Sequence, residues 1–179
     1  MLQSFFAFSQ TQEILKVLNS ELQKECIAQK QDPESILGIK FELVEEYSIK
    51  DSVLIMDAIE VDPITFKETA TYKTQRAVKT LSLTVKKKEA YGDGFYTERQ
   101  EVELTDITAV TKDINVIFET KPDAVKIIVT NSKGEQTTRT GDLFFTHLSY
   151  EKDNEALGKD LVKAFKQAGF TIVRTSWYD

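Results

Sequence analysis

Residues 142–177, DLFFTHLSYEKDNEALGKDLVKAFKQAGFTIVRTSW, read as a strand, a capped helix and a last short strand. Asp153 or Asn154 suits the N-cap, where a side-chain oxygen accepts from the first-turn amides. Glu151, Asp153 and Glu155 stand at the positive end of the helix dipole, and Lys159, Lys163 and Lys166 toward the negative end. Leu157, Leu161, Ala164, Phe165 and Ala168 recur on one face at helical spacing. Gly169 falls at the left-handed C′ position, with Phe170 placed to pack on Phe165 in a Schellman ending. Gly158, in the second turn, costs about 1 kcal/mol relative to Ala and reads as a point where another backbone comes close. Thr171 to Trp177 is rich in β-branched and aromatic residues, as a strand is. A helix with such an apolar face needs a sheet to cover, and the upstream chain supplies strands.

Ser9 to Lys30 reads as a first helix. Ser9 and Gln12 fit a capping box, and Leu15, Leu18, Leu22 and Cys26 share an apolar face. Asp32-Pro33 ends it. From Leu37 the period becomes 2: Leu37, Ile39, Phe41, Leu43, Tyr47 and Ile49 alternate with polar residues. Lys50-Asp51-Ser52 reads as a turn. Val53 to Val61 is apolar on both faces, the pattern of a central strand. Asp62-Pro63 signals another turn. Ile64 to Tyr72 and Leu81 to Lys86 read as a third and a fourth strand. Asp93-Gly94 suits a hairpin, and polar Phe95 to Leu104 reads as an edge. Ile114–Glu119, Ala124–Thr130, Glu135–Thr140 and Leu143–Leu148 follow as strands. Short turns between them imply antiparallel pairing throughout.

The expected fold is therefore α+β: a predominantly antiparallel β-sheet, as a barrel or two-layer sandwich, with one N-terminal and one C-terminal α-helix. Residues 9–179 read as a single domain, a size for which 179 residues suffice. Met1 to Phe8 is apolar and aromatic and reads as the remnant of a signal peptide or as an apolar arm. That favours a periplasmic or secreted location, with the cytoplasm as the alternative.

Leu104-Thr-Asp-Ile107-Thr-Ala-Val110, followed by a strand meander and the closing helix, resembles the second half of bacterial pleckstrin-homology-like domains over residues 104–168. The resemblance implies two packed sheets with one open end plugged by the C-terminal helix. It implies no catalytic residues. The leading helix and the strand after the closing helix are additions to that pattern.

The net charge is −6 and the pI about 5.0, which argues against nucleic acid as a partner, since that affinity comes from neutralising phosphates. The one cysteine, Cys26, excludes an intramolecular disulfide. No apolar run reaches the roughly 18 residues of a transmembrane helix. His147 is the single histidine, so His–His metal sites and relays are excluded; it reads as lying in a strand on the face of Phe145. Asp57 shares a strand face with Ile55 and Ile59, where an inward carboxylate would need a partner or a raised pKa. Glu60 points the other way, Glu45 and Glu68 lie on comparable apolar faces, and Arg76 or Arg174 could pair with one of these acids. Trp177 could form a binding platform or cover the core. Lys86-Lys87-Lys88 reads as a solvated strand end. No phosphate loop, nucleophile elbow, zinc signature or dinucleotide fingerprint occurs.

The chain thus reads as a noncatalytic binding or assembly module of unknown protein partner, exported if Met1 to Phe8 belongs to a leader. A β cup for a small apolar ligand, closed by the C-terminal helix, is the alternative. A carboxylate-based hydrolase comes third. No cofactor and no metal is expected. The ligand-binding candidates are Asp57, Glu68, His147 and Trp177.

Overall fold

The computed structural model of the chain describes residues 4–31, 38–90, 93–150 and 154–178. In order these form α1 (Ser4–Gln31), β1 (Glu42–Val61), β2 (Glu68–Lys88), β3 (Phe95–Glu103), a 3-10 turn (Leu104–Asp106) and β4 (Ile107–Lys112). Then come β5 (Val116–Thr120), β6 (Val125–Thr130), β7 (Gln136–Gly141), β8 (Leu143–Phe145), α2 (Glu155–Gln167) and β9 (Val173–Trp177). One sheet has the order β1-β2-β3-β6-β7, the other β8-β5-β4-β9. The fold is α+β, mostly antiparallel, with one helix near each end.

α2 forms as its sequence dictates. The Asn154 side chain accepts from the Leu157 amide at 3.2 Å; Asp153 and Glu151 lie outside the described residues. Leu157, Leu161, Ala164 and Phe165 are buried. Gly169 has φ +86°, its amide donates to Lys166 O at 3.1 Å, and the Phe170 amide donates to Phe165 O at 2.9 Å. Those two bonds make the Schellman ending. The face so presented meets the four-stranded sheet: the Phe165 ring lies 5.5 Å from Phe118 of β5, which lies 6.2 Å from Phe144 of β8. Leu81, Leu83, Val85, Val102 and Val110 complete the core between the sheets, and Ile14, Leu18 and Leu22 bring α1 onto it.

Several expectations are overturned. α1 runs from Ser4, so Ser9 lies inside the helix and does not cap it; no proline or glycine interrupts residues 4–8. The signal-remnant reading also covers Met1–Gln3, and the helix end at Asp32-Pro33 and the strand start at Leu37 likewise fall outside the described residues. Lys50-Asp51-Ser52 is not a turn. It lacks glycine and proline, continues β1, and is locked across the pair by Lys79 on Asp51 at 2.7 Å. The third and fourth strands are one, β2, and Ile64 and Phe66 lie in the turn before it. Polar β3 is interior, between β2 and β6. Its inward Glu98 and Gln100 are buried but find partners, which removes the cost of burying them. One pair is parallel: β9 lies beside β4, because α2 carries the chain back along the sheet before it re-enters.

Candidate functional site

The most unusual feature of the molecule is the outer half of the β1–β2 hairpin. Between Ser52↔Val78 and Val61↔Glu68 the two strands pair only with each other. At about 3.4 Å per residue, β1 extends roughly 30 Å beyond Ser52. The sequence makes the ribbon continuous: β1 is apolar from Val53 to Val61 apart from Asp57 and Glu60, β2 sets Thr69, Thr71 and Thr74 along its length, and Asp62 closes the far end. Asp62 Oδ1 accepts from the Ile64 and Thr65 amides at 2.9 and 2.6 Å, and these bonds hold its carboxyl below the usual range.

Val53 to Val61 was expected to be a central strand. It is instead one strand of an exposed ribbon: Val53 is 60% exposed, Ile55 57% and Ile59 52%. The tip residues Ile64 and Phe66 are 85% and 81% exposed, so Phe66 adds nothing to the core. Asp57 is not an inward acid. It stands in solvent, 3.8 Å from Lys73 Nζ. Glu68 is exposed opposite Val61 at the end of the ladder, and Glu60 lies opposite Ala70. These carboxylates run along the arm and do not converge on a cleft. Arg76 pairs with Glu103 at 2.8 Å and Arg174 with Glu155 at 3.3 Å, neither with the acids expected.

The base of the arm is closed on its outer edge. Asn19 of α1 donates to Tyr47 O and accepts from the Tyr47 amide, both at 3.0 Å. A bulge leaves Tyr47 without a β2 partner, and Asn19 takes the place of a neighbouring strand. Beyond it the β1 edge carries no such cover among the described residues.

Beneath the arm a buried polar seam joins α1 to the segment after β8. Glu25 accepts from the Ser149 and Tyr150 amides at 2.6 and 2.8 Å and from Ser149 Oγ at 3.1 Å. Burial pushes its carboxyl up, against the lowering effect of those bonds. The Tyr47 hydroxyl donates to Thr146 O. His147 is not in a strand: β8 ends at Phe145, and His147 has φ +59°. Its ring is buried against Phe41 at 5.2 Å, whereas Phe145 is half-exposed. Burial, with the Lys87 ammonium adding to it, lowers the imidazole pKa to about 3. Its Nε2 has no hydrogen-bond partner among the described residues and lies 4.0 Å from Glu98 Oε1. Lys87 is not a solvated lysine; it is buried on Glu98 at 2.7 Å. Gln100 exchanges two bonds with the Phe145 backbone, at 3.0 and 3.2 Å. The seam fastens elements together.

Trp177 covers the core. A Cβ on Gly158 would stand 2.7 Å from Trp177 Cζ3 and 2.8 Å from Arg174 Cδ, so the close approach at this glycine is by side chains, not by another backbone. The space between α2 and the sheets holds Phe118, Phe144, Leu161 and Phe165. An open groove of about 820 Å³ lies between α1 and α2, lined by charges of both signs such as Glu13, Lys16, Glu21, Lys24, Asp160 and Lys163.

Of the four candidates, the structure places Asp57 and Glu68 on the arm and buries His147 and much of Trp177; it brings no two of them into one pocket. The arm's continuity and the Glu25, Lys87 and Gln100 contacts were missed. Glu25 had one signal, its place in the apolar row Leu18, Leu22, Glu25 at heptad spacing. Among the described residues no group of three or more His, Cys, Asp or Glu is placed to hold a metal ion. No described helix is long and apolar enough to cross a membrane, although α1 runs for 28 residues. No protein-family model, curated protein or solved structure matches this chain.

Proposed function

We propose that the protein is a noncatalytic binding or assembly module that engages its partner with the arm, residues 52–78. The observation that carries this reading is the contrast between pattern and surroundings on β1. Val53 to Val61 has the composition of a strand covered on both faces, yet it stands in water on a two-stranded ribbon, a form marginal in isolation. Apolar surface of that extent on a folded body marks an interaction site. The pleckstrin-homology-like reading of residues 104–168 fits the same picture, a scaffold that presents a binding element and has no catalytic set of its own. The ligand cup and the carboxylate hydrolase have no comparable observation behind them.

Amide hydrogen exchange on the full chain tests the proposal. In the assembled state the amides of residues 53–61 and 68–77 are expected to be as protected as those of β3. Rapid exchange along the arm both in concentrated protein and in extract from its own cells would count against it, as would robust turnover on a generic substrate panel.

A further inference from the structure

We propose that the arm's partner is a second copy of this chain, and that two arms pair antiparallel along their open β1 edges about a two-fold axis at Met56. The inference rests on the arm being the engaging element and names what it engages.

The argument starts from the edge. Asn19 occupies it at Tyr47, so a new strand can join only beyond that point. In an antiparallel ladder the outward-pointing backbone groups belong to alternate residues. Two identical strands can therefore pair only in registers where a residue sits opposite itself on the axis; an axis between residues would set outward groups against inward ones. Charges select among the allowed centres. An axis at Asp57 places that carboxylate against itself, and one at Leu54 places Asp51 against Asp57. Like charges directly opposite are destabilising. An axis at Met56 avoids both. It sets Val53 opposite Ile59 of the partner subunit, Leu54 opposite Ala58 of the partner subunit, and Lys50 opposite Asp62 of the partner subunit. It also runs from Lys50 to the end of β1 at Val61 and on to the turn residue Asp62, with an ion pair at each end. Asp51 and Asp57 keep their own cations, Lys79 and Lys73, on the far side of the ribbon.

The size is sufficient. Thirteen paired residues give a strip about 44 Å long, and with side chains about 10 Å deep the two edges cover on the order of 1,000 Å². Ile64 and Phe66 extend past the pairing toward the base of the partner subunit and add to it. A specific interface needs about this area. In the resulting four-stranded sheet the two β1 strands are central, so both backbone edges of each are paired. The contact is isologous and closes at two copies.

Light scattering on the full chain and disulfide trapping test this together. Met56→Cys and Thr74→Cys are made separately in a Cys26→Ala background. Met56 and Thr74 are register partners on opposite edges of one ribbon. In the proposed dimer two Met56 positions lie about 5 Å apart, whereas two Thr74 positions lie three strand spacings, roughly 14 Å, apart. A disulfide needs Cα atoms within about 7 Å, so Met56→Cys is expected to form covalent dimer at least about tenfold more readily than Thr74→Cys. The chain without added cysteines is expected to scatter as a dimer at micromolar concentration. A monomer at about 100 μM would overturn the proposal at a strength below ordinary specific association. Equal or preferential trapping through Thr74→Cys would overturn the edge assignment. A monomeric chain whose arm amides become protected in cell extract would refute self-pairing and leave the binding-module reading standing. An arm unprotected in both settings would refute both.

Discussion

His147 combines a left-handed backbone with a buried ring held neutral. Its folded pKa, about 3, lies below the ordinary 6.5, so below pH 6.5 the unfolded chain binds a proton that the folded chain refuses. Stability is fully present above pH 6.5 and falls as pH drops toward 3, by about 1.4 kcal/mol per pH unit. Glu25 acts with the opposite sign. Its raised folded pKa makes the folded chain take up a proton first as pH falls toward the ordinary value of 4.5, which offsets part of the loss. His147→Asn keeps a residue that tolerates positive φ, and urea midpoints measured across pH 7 to 4 are expected to flatten in that variant. The buried Lys87–Glu98 pair gives a second test. Glu98→Ala strands the ammonium inside and is expected to cost about 3–5 kcal/mol, while replacing both residues by apolar ones of similar size costs little or stabilises. Denaturant titration of the three chains distinguishes these outcomes.

At the scale of elements, α2 and β9 act as one unit. Gly158 is a helix-interior glycine that an exposed site would favour replacing, with a gain of about 1 kcal/mol for alanine. Here the added methyl meets the Trp177 ring, and overpacking of this kind costs about 1–3 kcal/mol. Gly158→Ala is therefore expected to lower stability by roughly 1 kcal/mol net and to shift the fluorescence of Trp177, the single tryptophan. A stabilised variant with unchanged emission would show that β9 does not lean on α2. The helix itself was legible because its determinants lie within one short segment: the Asn154 cap, the apolar row and Gly169. The β1–β2 hairpin was legible at its turn, Asp62-Pro63, and β6 and β7 in their own strand patterns. The unbroken length of β1 and β2 was not, because Lys50-Asp51-Ser52 has turn-like composition and only the pairing of Asp51 with Lys79 shows it to be strand.

For the whole molecule, the arm is an appendage whose residues 53–77 supply nothing to the buried core. Ser52 and Val78 are register partners, so replacing residues 53–77 by Asn-Gly joins them through a two-residue hairpin turn. The trimmed chain is expected to unfold within about 4 °C of the full one, since the arm supplies no core residue, and to scatter as a monomer. A large loss of stability would mean that the arm braces the body. The candidate site was half legible. The apolar run Val53 to Val61 stood out, but its meaning was inverted, because a strand covered by its own chain and one covered by another have the same composition. Asp57 and Glu68 fell on exposed ribbon for the same reason: alternation assigns a face, and only the surroundings say whether that face is wet.

Local pattern settled the class of fold, the presence of the two helices, most strands, and the cap of α2 and the turn at Asp62-Pro63, though not the start of α1 or the turn read at Lys50 to Ser52. Those depend on hydrogen bonds and side-chain spacing within a few residues. The tertiary structure alone decided that polar β3 is interior, that β9 runs parallel to β4, that His147 is buried and that the β1–β2 arm stands clear. These depend on partners far apart in the chain. Gln100 meets Phe145 across 45 residues, and Glu25 meets Ser149 across 124. Local pattern carries no record of such distances, since the free energy that buries a polar group comes from whichever partner the fold brings to it.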